Sequence, residues 1–403
     1  MYNVIDLGPN NVPADIDSTG NLLVNRLPSQ GPAVIKVNGE VIDISAKVGL
    51  ALGTAYGMND LGQVVAAGLG GVVCDVNTGV ARSVPIHSTV AINNLGTVVG
   101  KDLNGRPMYA PLGATEGIKI FNDDSAGNAM AINDAGTIVG WGSVASFSDY
   151  VAWSFRPGMG LVAHAAGGPT LATAINAGGT IVGLDDNSGF IVDPVNGKVA
   201  VVRPTGTRFA SLLDINAGGR HVGLLVTESD ARRGTVGRGP MMTELDGLLL
   251  SDNVSVDTAV AINDNGWIAA VGFVSGEYRG LLLKPVVAPA RFEVLASVLQ
   301  LLNGGVLDNA GVGIRLPGGN PEPVPTGPLF HELSDARRDA LIGLAVAELA
   351  ELFKDRSTRA GVKALALERV RATLEESLGT LAARPGPEVE FNLGPGLPPL
   401  RRK

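Results

Sequence analysis

One cysteine in 403 residues excludes several classes of protein at once. A lone Cys74 forms neither an internal disulfide framework nor a cysteine metal site, and its apolar setting, Val72-Val73-Cys74, points to a buried, inert thiol. Aromatic residues make up only 4% of the chain, so the broad ring platforms of many glycan-binding surfaces are scarce. The four histidines, His87, His164, His221 and His331, have no ligand spacing, although three could converge on a central axis. No metal or other cofactor is expected. Gly-x-Ser-x-Gly, phosphate-loop and dinucleotide signatures are missing. The longest apolar run of the C-terminal helical region, 340–347, is eight residues, far short of the about twenty that cross a bilayer. The opening Met1-Tyr2-Asn3-Val4-Ile5-Asp6 lacks the basic and apolar regions of a signal peptide. A cytoplasmic protein is expected; a chain whose leader had been removed would look the same and be extracellular. Basic charge is also short. Residues 1–290 hold 17 basic against 25 acidic side chains, and the net charge is −8, which argues against a nucleic-acid partner.

What the chain has is glycine, 55 residues or about twice the usual share, and a phrase that returns seven times. Its clearest copy is Ala131-Ile132-Asn133-Asp134-Ala135-Gly136-Thr137-Ile138-Val139-Gly140. The Asn, or Asp in the first copy, falls at 17, 59, 93, 133, 176, 216 and 263. The spacings of 42, 34, 40, 43, 40 and 47 residues make this a repeat architecture. Each phrase reads as a β-hairpin. Asn accepts a bond from the turn backbone, the Gly three residues on takes a left-handed conformation, and a β-branched run follows. A second hairpin completes most periods, as at 71–75 and 80–84, 150–155 and 161–163, and 189–193 and 198–202.

Four strands in about forty residues predict a seven-bladed β-propeller over residues 1–290. Six or eight blades follow if the first copy is incomplete or a further one lies hidden after 291. The small residues before each Asn suit innermost strands crowding round an axis. Tyr2–Leu7 is a strand without its own hairpin, able to close the ring on the last blade, with 291–295 competing for the same edge.

The phrase Ala-Ile-Asn-Asp-x-Gly-x-Ile/Val-Val-Gly, with Asp6-Leu7-Gly8 before it, resembles the repeat of the bacterial HAF-repeat proteins over about residues 1–285. The resemblance implies a bacterial, often extracellular protein and carries over no catalytic residue. Two copies depart from it, Ser18-Thr19 in the first and Arg220-His221 in the sixth. Irregular blades are expected there.

Residues 291–333 read as an extended, Pro/Gly-rich connector. The stretch Pro317–Pro328 carries five prolines, which argues against helix or strand. A helical hairpin is expected at 334–384, with Ser334 as N-cap and Ile342, Val346, Leu349 and Phe353 forming one apolar stripe. A flexible tail follows at 385–403.

Function is expected where the repeat breaks, on the face carrying the variable loops, because variable loops on a rigid scaffold are where binding concentrates. The candidate binding residues are Asp123, Asp124, Asp149, Tyr150, Asp185, Asp186, Arg232, Arg233, Arg238 and Tyr278. The three arginines fall in a long loop predicted at Thr227–Gly239. Pairs such as Asp123-Asp124, Asp185-Asp186 and Asp15-x-Asp17 could offer oxygen ligands to calcium but lack the spacing of a calcium loop, so turn polarity is expected. The reading is a non-enzymatic binding or assembly protein. Its propeller face takes a protein, another macromolecule or a carbohydrate, and the helical hairpin serves self-association as a homo-oligomer, or docking. The alternative is a polysaccharide hydrolase or lyase with carboxylates in the propeller funnel.

Overall fold

A computed structural model describes residues 1–27, 30–68, 70–121, 123, 125–143, 150–164, 169–195 and 197–285, and beyond them 306–308, 326–329, 390–391 and 400–401. Two compact units divide the chain: Tyr2–Lys284, and Met1 with Pro285–Lys403. In the second unit Val306–Asp308 pairs with Thr326–Leu329, and Glu390–Phe391 with Leu400–Arg401, so strand pairing reaches into the connector and the tail. The helical hairpin expected at 334–384 lies outside the described residues. Among the described residues no helix is long and apolar enough to cross a membrane.

The first unit is a seven-bladed β-propeller. Its seven antiparallel sheets have four strands each. Six blades are consecutive in sequence, from Asn11–Ile16 as innermost strand of blade 1 to Met241–Glu244 as outermost strand of blade 6. Blade 7 takes three strands, Val254–Ile262, Ile268–Val274 and Glu277–Pro285, from the end of the unit. Its outermost strand is Tyr2–Asp6, from the beginning. The Leu7 N–H continues that pairing to the Gly280 carbonyl at 2.9 Å. The first and last segments of the unit thus share one sheet. The competing segment 291–295 lies outside the described residues.

The hairpin reading of the repeat holds at every copy. Gly20, Gly62, Gly96, Gly136, Gly179, Gly219 and Gly266 all have φ between +73° and +92°. Blades 1 and 6, expected to be irregular, are complete. Blade 6 even has the longest innermost and second strands of the first six, Thr207–Ile215 and Arg220–Thr227. The supposed loop Thr227–Gly239 is mostly strand: Arg232–Arg238 is the third strand of blade 6, paired from Arg220↔Arg238 to Val226↔Arg232. A charged surface sequence hid a short run, Gly234, Thr235 and Val236, that is buried on both faces of the strand.

The two β-branched residues after each turn have opposite duties. Successive side chains of a strand point to opposite faces, and each blade face meets a different neighbour. Val64 packs with Leu23 and Val34 of blade 1, whereas Val65 packs with Val98 and Met108 of blade 3. Ile138 meets Val99 of blade 3, and Val139 meets Ile181 and Phe190 of blade 5. Val182 joins Leu212 and Leu225 of blade 6, and Leu22 and Val24 join Ala261 and Leu282 of blade 7. The core is therefore a chain of apolar layers between blades. At roughly 25 cal/mol per Å² these layers, and not any isolated sheet, hold the ring.

Every innermost strand also carries a β-bulge one step before the same place. The register slips at Ala14, Tyr56, Val90, Met130, Thr173, Leu213 and Val260. Opposite four of these bulges stands the glycine that ends the phrase. A Cβ at Gly100, Gly140, Gly183 or Gly223 would lie 1.9–2.1 Å from the carbonyl oxygen of Ser88, Asn128, Leu171 or Ser211. The final Gly is thus a packing requirement of blades 3 to 6. Blades 1, 2 and 7 hold Val24, Ala66 and Ala270 there.

Candidate functional site

The phrase Asn does more than cap its own turn. Its Oδ1 accepts the backbone N–H four residues on, as from Thr137 to Asn133 at 3.0 Å. Its Nδ2 donates to the backbone carbonyl of the next Asn round the ring. Asn59 reaches Asn93 at 2.9 Å, Asn93 reaches Asn133 at 3.1 Å, and Asn133 reaches Asn176 at 3.0 Å. Asn176 reaches Asn216 at 3.1 Å, Asn216 reaches Asn263 at 3.1 Å, and Asn263 closes on the Asp17 carbonyl at 3.0 Å. All seven side chains are at least 93% buried. An acceptor-only carboxylate at Asp17 leaves the seventh link, to Asn59, without its donor.

Two other carboxylates work at that seam and at one more. Asp15 accepts the N–H of Ile16 at 2.8 Å and, in the next blade, that of Met58 at 2.8 Å. Ser18 N–H meets Asp60 Oδ1 at 2.8 Å, a second bridge between blades 1 and 2. Asp214 repeats the arrangement between blades 6 and 7, accepting from Ile215 and Ile262, each at 2.8 Å. Innermost strands turn a free edge toward the axis, and these carboxylates satisfy N–H groups on that edge. Both acids are closely surrounded by protein while keeping some exposed surface. Burial pushes Asp15 up to about 7, with Asp214 and Asp17 adding to the rise against the hydrogen bonds from Met58 and Ile16. Burial pushes Asp214 up to about 6, against its two backbone bonds. The charged neighbours that perturb the pair are acidic, and both carboxylates are committed to backbone donors.

These groups set a pH dependence of stability. A folded-state value raised above the ordinary 3.8 gives stability that is complete below that value and is lost as pH rises through about 6 and 7. His221 opposes them: buried in blade 6 with its Nε2 at 2.9 Å from the Gly239 carbonyl, it is pushed by burial down to about 4. Its contribution is complete above 6.5 and is lost as pH falls toward 4. Two carboxylates outweigh one imidazole, so the thermal midpoint should fall between pH 5 and pH 8. Asp15→Asn should flatten that slope in calorimetric scans; an unchanged slope would remove Asp15 as its source.

The candidate binding residues are scattered by the fold, with one exception. Asp123 is exposed and accepts the Ser125 N–H at 3.0 Å, an ordinary Asx turn, while Asp124 and Asp149 lie outside the described residues. Tyr150 stacks edge-on against Trp141 at 5.2 Å. Asp185 pairs with Lys198 at 3.0 Å, and exposed Asp186 takes the Asn187 amide at 3.1 Å. Arg238 donates to the Gly218 carbonyl in a phrase turn, so it sits on the turn face, at the far end of its strand from Arg232. The histidines do not converge. His87 is exposed, His164 is 2.9 Å from Ser154 Oγ at the edge of blade 4, and His331 lies outside the described residues. Among the described residues no group of three His, Cys, Asp or Glu is set to hold a metal. Cys74 is fully buried, and burial pushes its thiol up to about 11.

The exception is Arg232, which meets strand residues of blade 7 on the variable-loop face. Arg232 Nε lies 3.2 Å from Asp257 Oδ2, and its Nη2 donates to Thr258 Oγ1 at 2.8 Å. Thr258 Oγ1 in turn donates to Asp257 Oδ2 at 2.9 Å. Burial raises the Tyr278 phenol, Asp257 raises it further, and Arg232 lowers it, while its strand register with Gly280 and Leu282 places Tyr278 on the blade 1 face of blade 7. Tyr278 packs edge-to-face on Phe273 at 5.3 Å, with 49% and 39% of the two residues exposed. Arg233, on the other face of the same strand, lies 3.9 Å from Glu244. The loop tips at the variable-loop end of blade 7 are tied by Ser275 N–H to Asn253 O at 2.8 Å and Asn253 Nδ2 to Ser275 Oγ at 3.2 Å. Asp257, Thr258 and Phe273 were not singled out from sequence. They sit within strands, and only the apposition of two blades makes Asp257 and Thr258 neighbours of Arg232.

The fold and this patch define a seven-bladed propeller with a preformed polar-aromatic surface on one face. No protein-family model and no curated protein sequence matches the chain. Among solved structures it is similar to virginiamycin B lyase from Staphylococcus aureus, with 10% identity, 70% of this chain and 98% of that chain covered, and a TM-score of 0.47. A second similarity is to YCF48 bound to D1 peptide, with 11% identity, coverage of 70% and 95%, and a TM-score of 0.42. The likeness is one of fold alone.

Proposed function

We propose that this protein is a non-enzymatic binding scaffold whose variable-loop face takes a macromolecule or carbohydrate. The observation that supports it most is the Arg232–Asp257–Thr258 cluster. Strands of two blades build it, its polar groups are bonded in place, and the half-exposed Phe273–Tyr278 pair stands at the same end of blade 7, on its blade 1 face. Rigid elements holding a few oriented polar groups next to rings is the ordinary constitution of a binding site. In the same reading the chain is of the HAF-repeat kind, and residues 334–384 form a helical hairpin for self-association or docking.

Photo-crosslinking tests the face. A benzoylphenylalanine at position 278 should give adducts in extracts of the source cells. The same group at Met159, a 77%-exposed turn-face residue, should not. Adducts from 159 alone would overturn the assignment. Removing residues 328–403 should leave a folded monomer by light scattering; an oligomer of unchanged stoichiometry would count against the hairpin's role.

A further inference from the structure

Asparagine followed by glycine carries a chemistry of its own, and the fold sorts such pairs. A glycine nitrogen has no side chain beside it, so it can reach the amide carbon of the preceding side chain. Three Asn-Gly pairs fall wholly within the described residues: Asn38-Gly39, Asn104-Gly105 and Asn265-Gly266. Two more, Asn196-Gly197 and Asn303-Gly304, have their Asn outside them. The first three are all hairpin turns with an exposed Asn and a left-handed Gly, at φ of +87°, +76° and +73°. Each Gly N–H donates to the carbonyl three residues back, at 2.8 Å to Lys36, 3.1 Å to Asp102 and 2.9 Å to Asn263. The backbone therefore hardly distinguishes them. The side chains do. Asn265 Nδ2 donates to Ser18 O at 3.0 Å, across the seam between blades 7 and 1. Asn38 Oδ1 accepts the Glu40 N–H at 3.0 Å. The Asn104 side chain makes no hydrogen bond among the described residues. Its turn is held instead by Asp102, whose Oδ1 accepts the N–H groups of Asn104 and Arg106, each at 2.9 Å. A Cβ at Gly105 would meet nothing within 4 Å, so the space around the pair is open. The six phrase asparagines stand apart: all are buried, all are bonded across blades, and none precedes glycine.

We propose that Asn104 is a site of spontaneous deamidation. The Gly105 backbone nitrogen bonds to the Asn104 side-chain carbonyl carbon and gives up its proton, and ammonia leaves from that carbon. Water then opens the cyclic imide at either carbonyl, giving aspartate or isoaspartate. No oxidant, metal or enzyme is required. The untied Asn104 side chain needs only rotation about its own bonds. Asn38 must first release Glu40, and Asn265 must release Ser18. Gly266 is also buried, whereas Gly39 is exposed, so the order of conversion is Asn104, Asn38, Asn265. Asn104 lies in the variable-loop hairpin of blade 3, between Thr97–Lys101 and Pro107–Pro111. Each converted molecule therefore gains a carboxylate on that face. Isoaspartate also adds a backbone carbon inside the turn that Asp102 bonds. The modification goes beyond the binding reading and does not rest on it.

Peptide mass spectrometry of the folded full chain, aged in mildly alkaline buffer, tests this, with isoaspartyl methyltransferase labelling to read isoaspartate. Asn104 should convert several-fold faster than Asn38 or Asn265 in the folded protein, and the three rates should come together in urea. Asn104→Gln should remove most of the isoaspartate label while leaving the circular dichroism spectrum unchanged, since the side chain holds nothing in the turn. An Asn104 that stays intact in the folded chain but converts in urea overturns the proposal. Conversion of Asn38 or Asn265 at an equal or faster rate in the folded chain does the same. An order that persists unchanged in urea also overturns it, because neighbouring sequence and not the fold would then set the rates.

Discussion

Replacing Asn133 with alanine should destabilise the propeller by about 2–5 kcal/mol, because one side chain serves two backbone groups at a buried seam. Its Oδ1 caps the Thr137 N–H and its Nδ2 satisfies the Asn176 carbonyl, each at 3.0 Å, while its own carbonyl receives Asn93 at 3.1 Å. Alanine leaves a donor and an acceptor unpaired near the axis, at roughly 1–3 kcal/mol each. Urea unfolding followed by circular dichroism measures it, and a loss under about 0.5 kcal/mol would show that solvent or relaxation replaces the girdle. Asn133→Asp separates the two duties: the turn cap survives, the donor to blade 5 does not. The natural chain already carries that state at Asp17, so Asp17→Asn should restore the missing link to Asn59 and stabilise by about 1 kcal/mol. That gain is limited because Asp15 and Asp60 already bridge the same seam.

The second large effect concerns a glycine with ordinary backbone angles. A Cβ at Gly183 would stand 2.0 Å from the Leu171 carbonyl oxygen and 2.8 Å from the Phe190 ring. Neither neighbour can yield cheaply, since one is backbone beside the bulge at Thr173 and the other is a fully buried ring. Gly183→Ala should therefore cost about 3 kcal/mol or more, at the upper end of overpacking effects. Gly197→Ala is the control: with φ at +77° and nothing within 4 Å, it should cost only the roughly 1 kcal/mol of a left-handed alanine. Equal midpoints for the two variants in thermal scans would refute the steric account.

Much of this fold was legible from local chemistry. The Asn-x-x-Gly turns, the β-branched pairs and the second hairpins each follow from interactions within ten residues, and a forty-residue period leaves few ways to stack four-stranded sheets. The loop assigned to Thr227–Gly239 failed for a local reason too. Three arginines among glycines and a threonine look solvated, yet Gly234, Thr235 and Val236 between them are buried. The patch was half legible. Arg232 and Tyr278 stood out as charge and aromatic near loop ends, whereas Asp257, Thr258 and Phe273 looked like ordinary strand residues.

The repeat by itself determined the turn and the strand alternation, because those depend on backbone conformations that Asn, Gly and β-branched residues bias on their own; that the blades number seven was decided by the closed ring. Tertiary structure decided that the same Asn is also a link between blades, that Tyr2–Asp6 completes blade 7, and that Arg232 meets Asp257. Each of these joins groups from different periods, 246 residues apart for Asn263 and Asp17 and further still for Leu7 and Gly280. No local preference specifies such a meeting; it exists only once seven apolar interfaces have closed the ring.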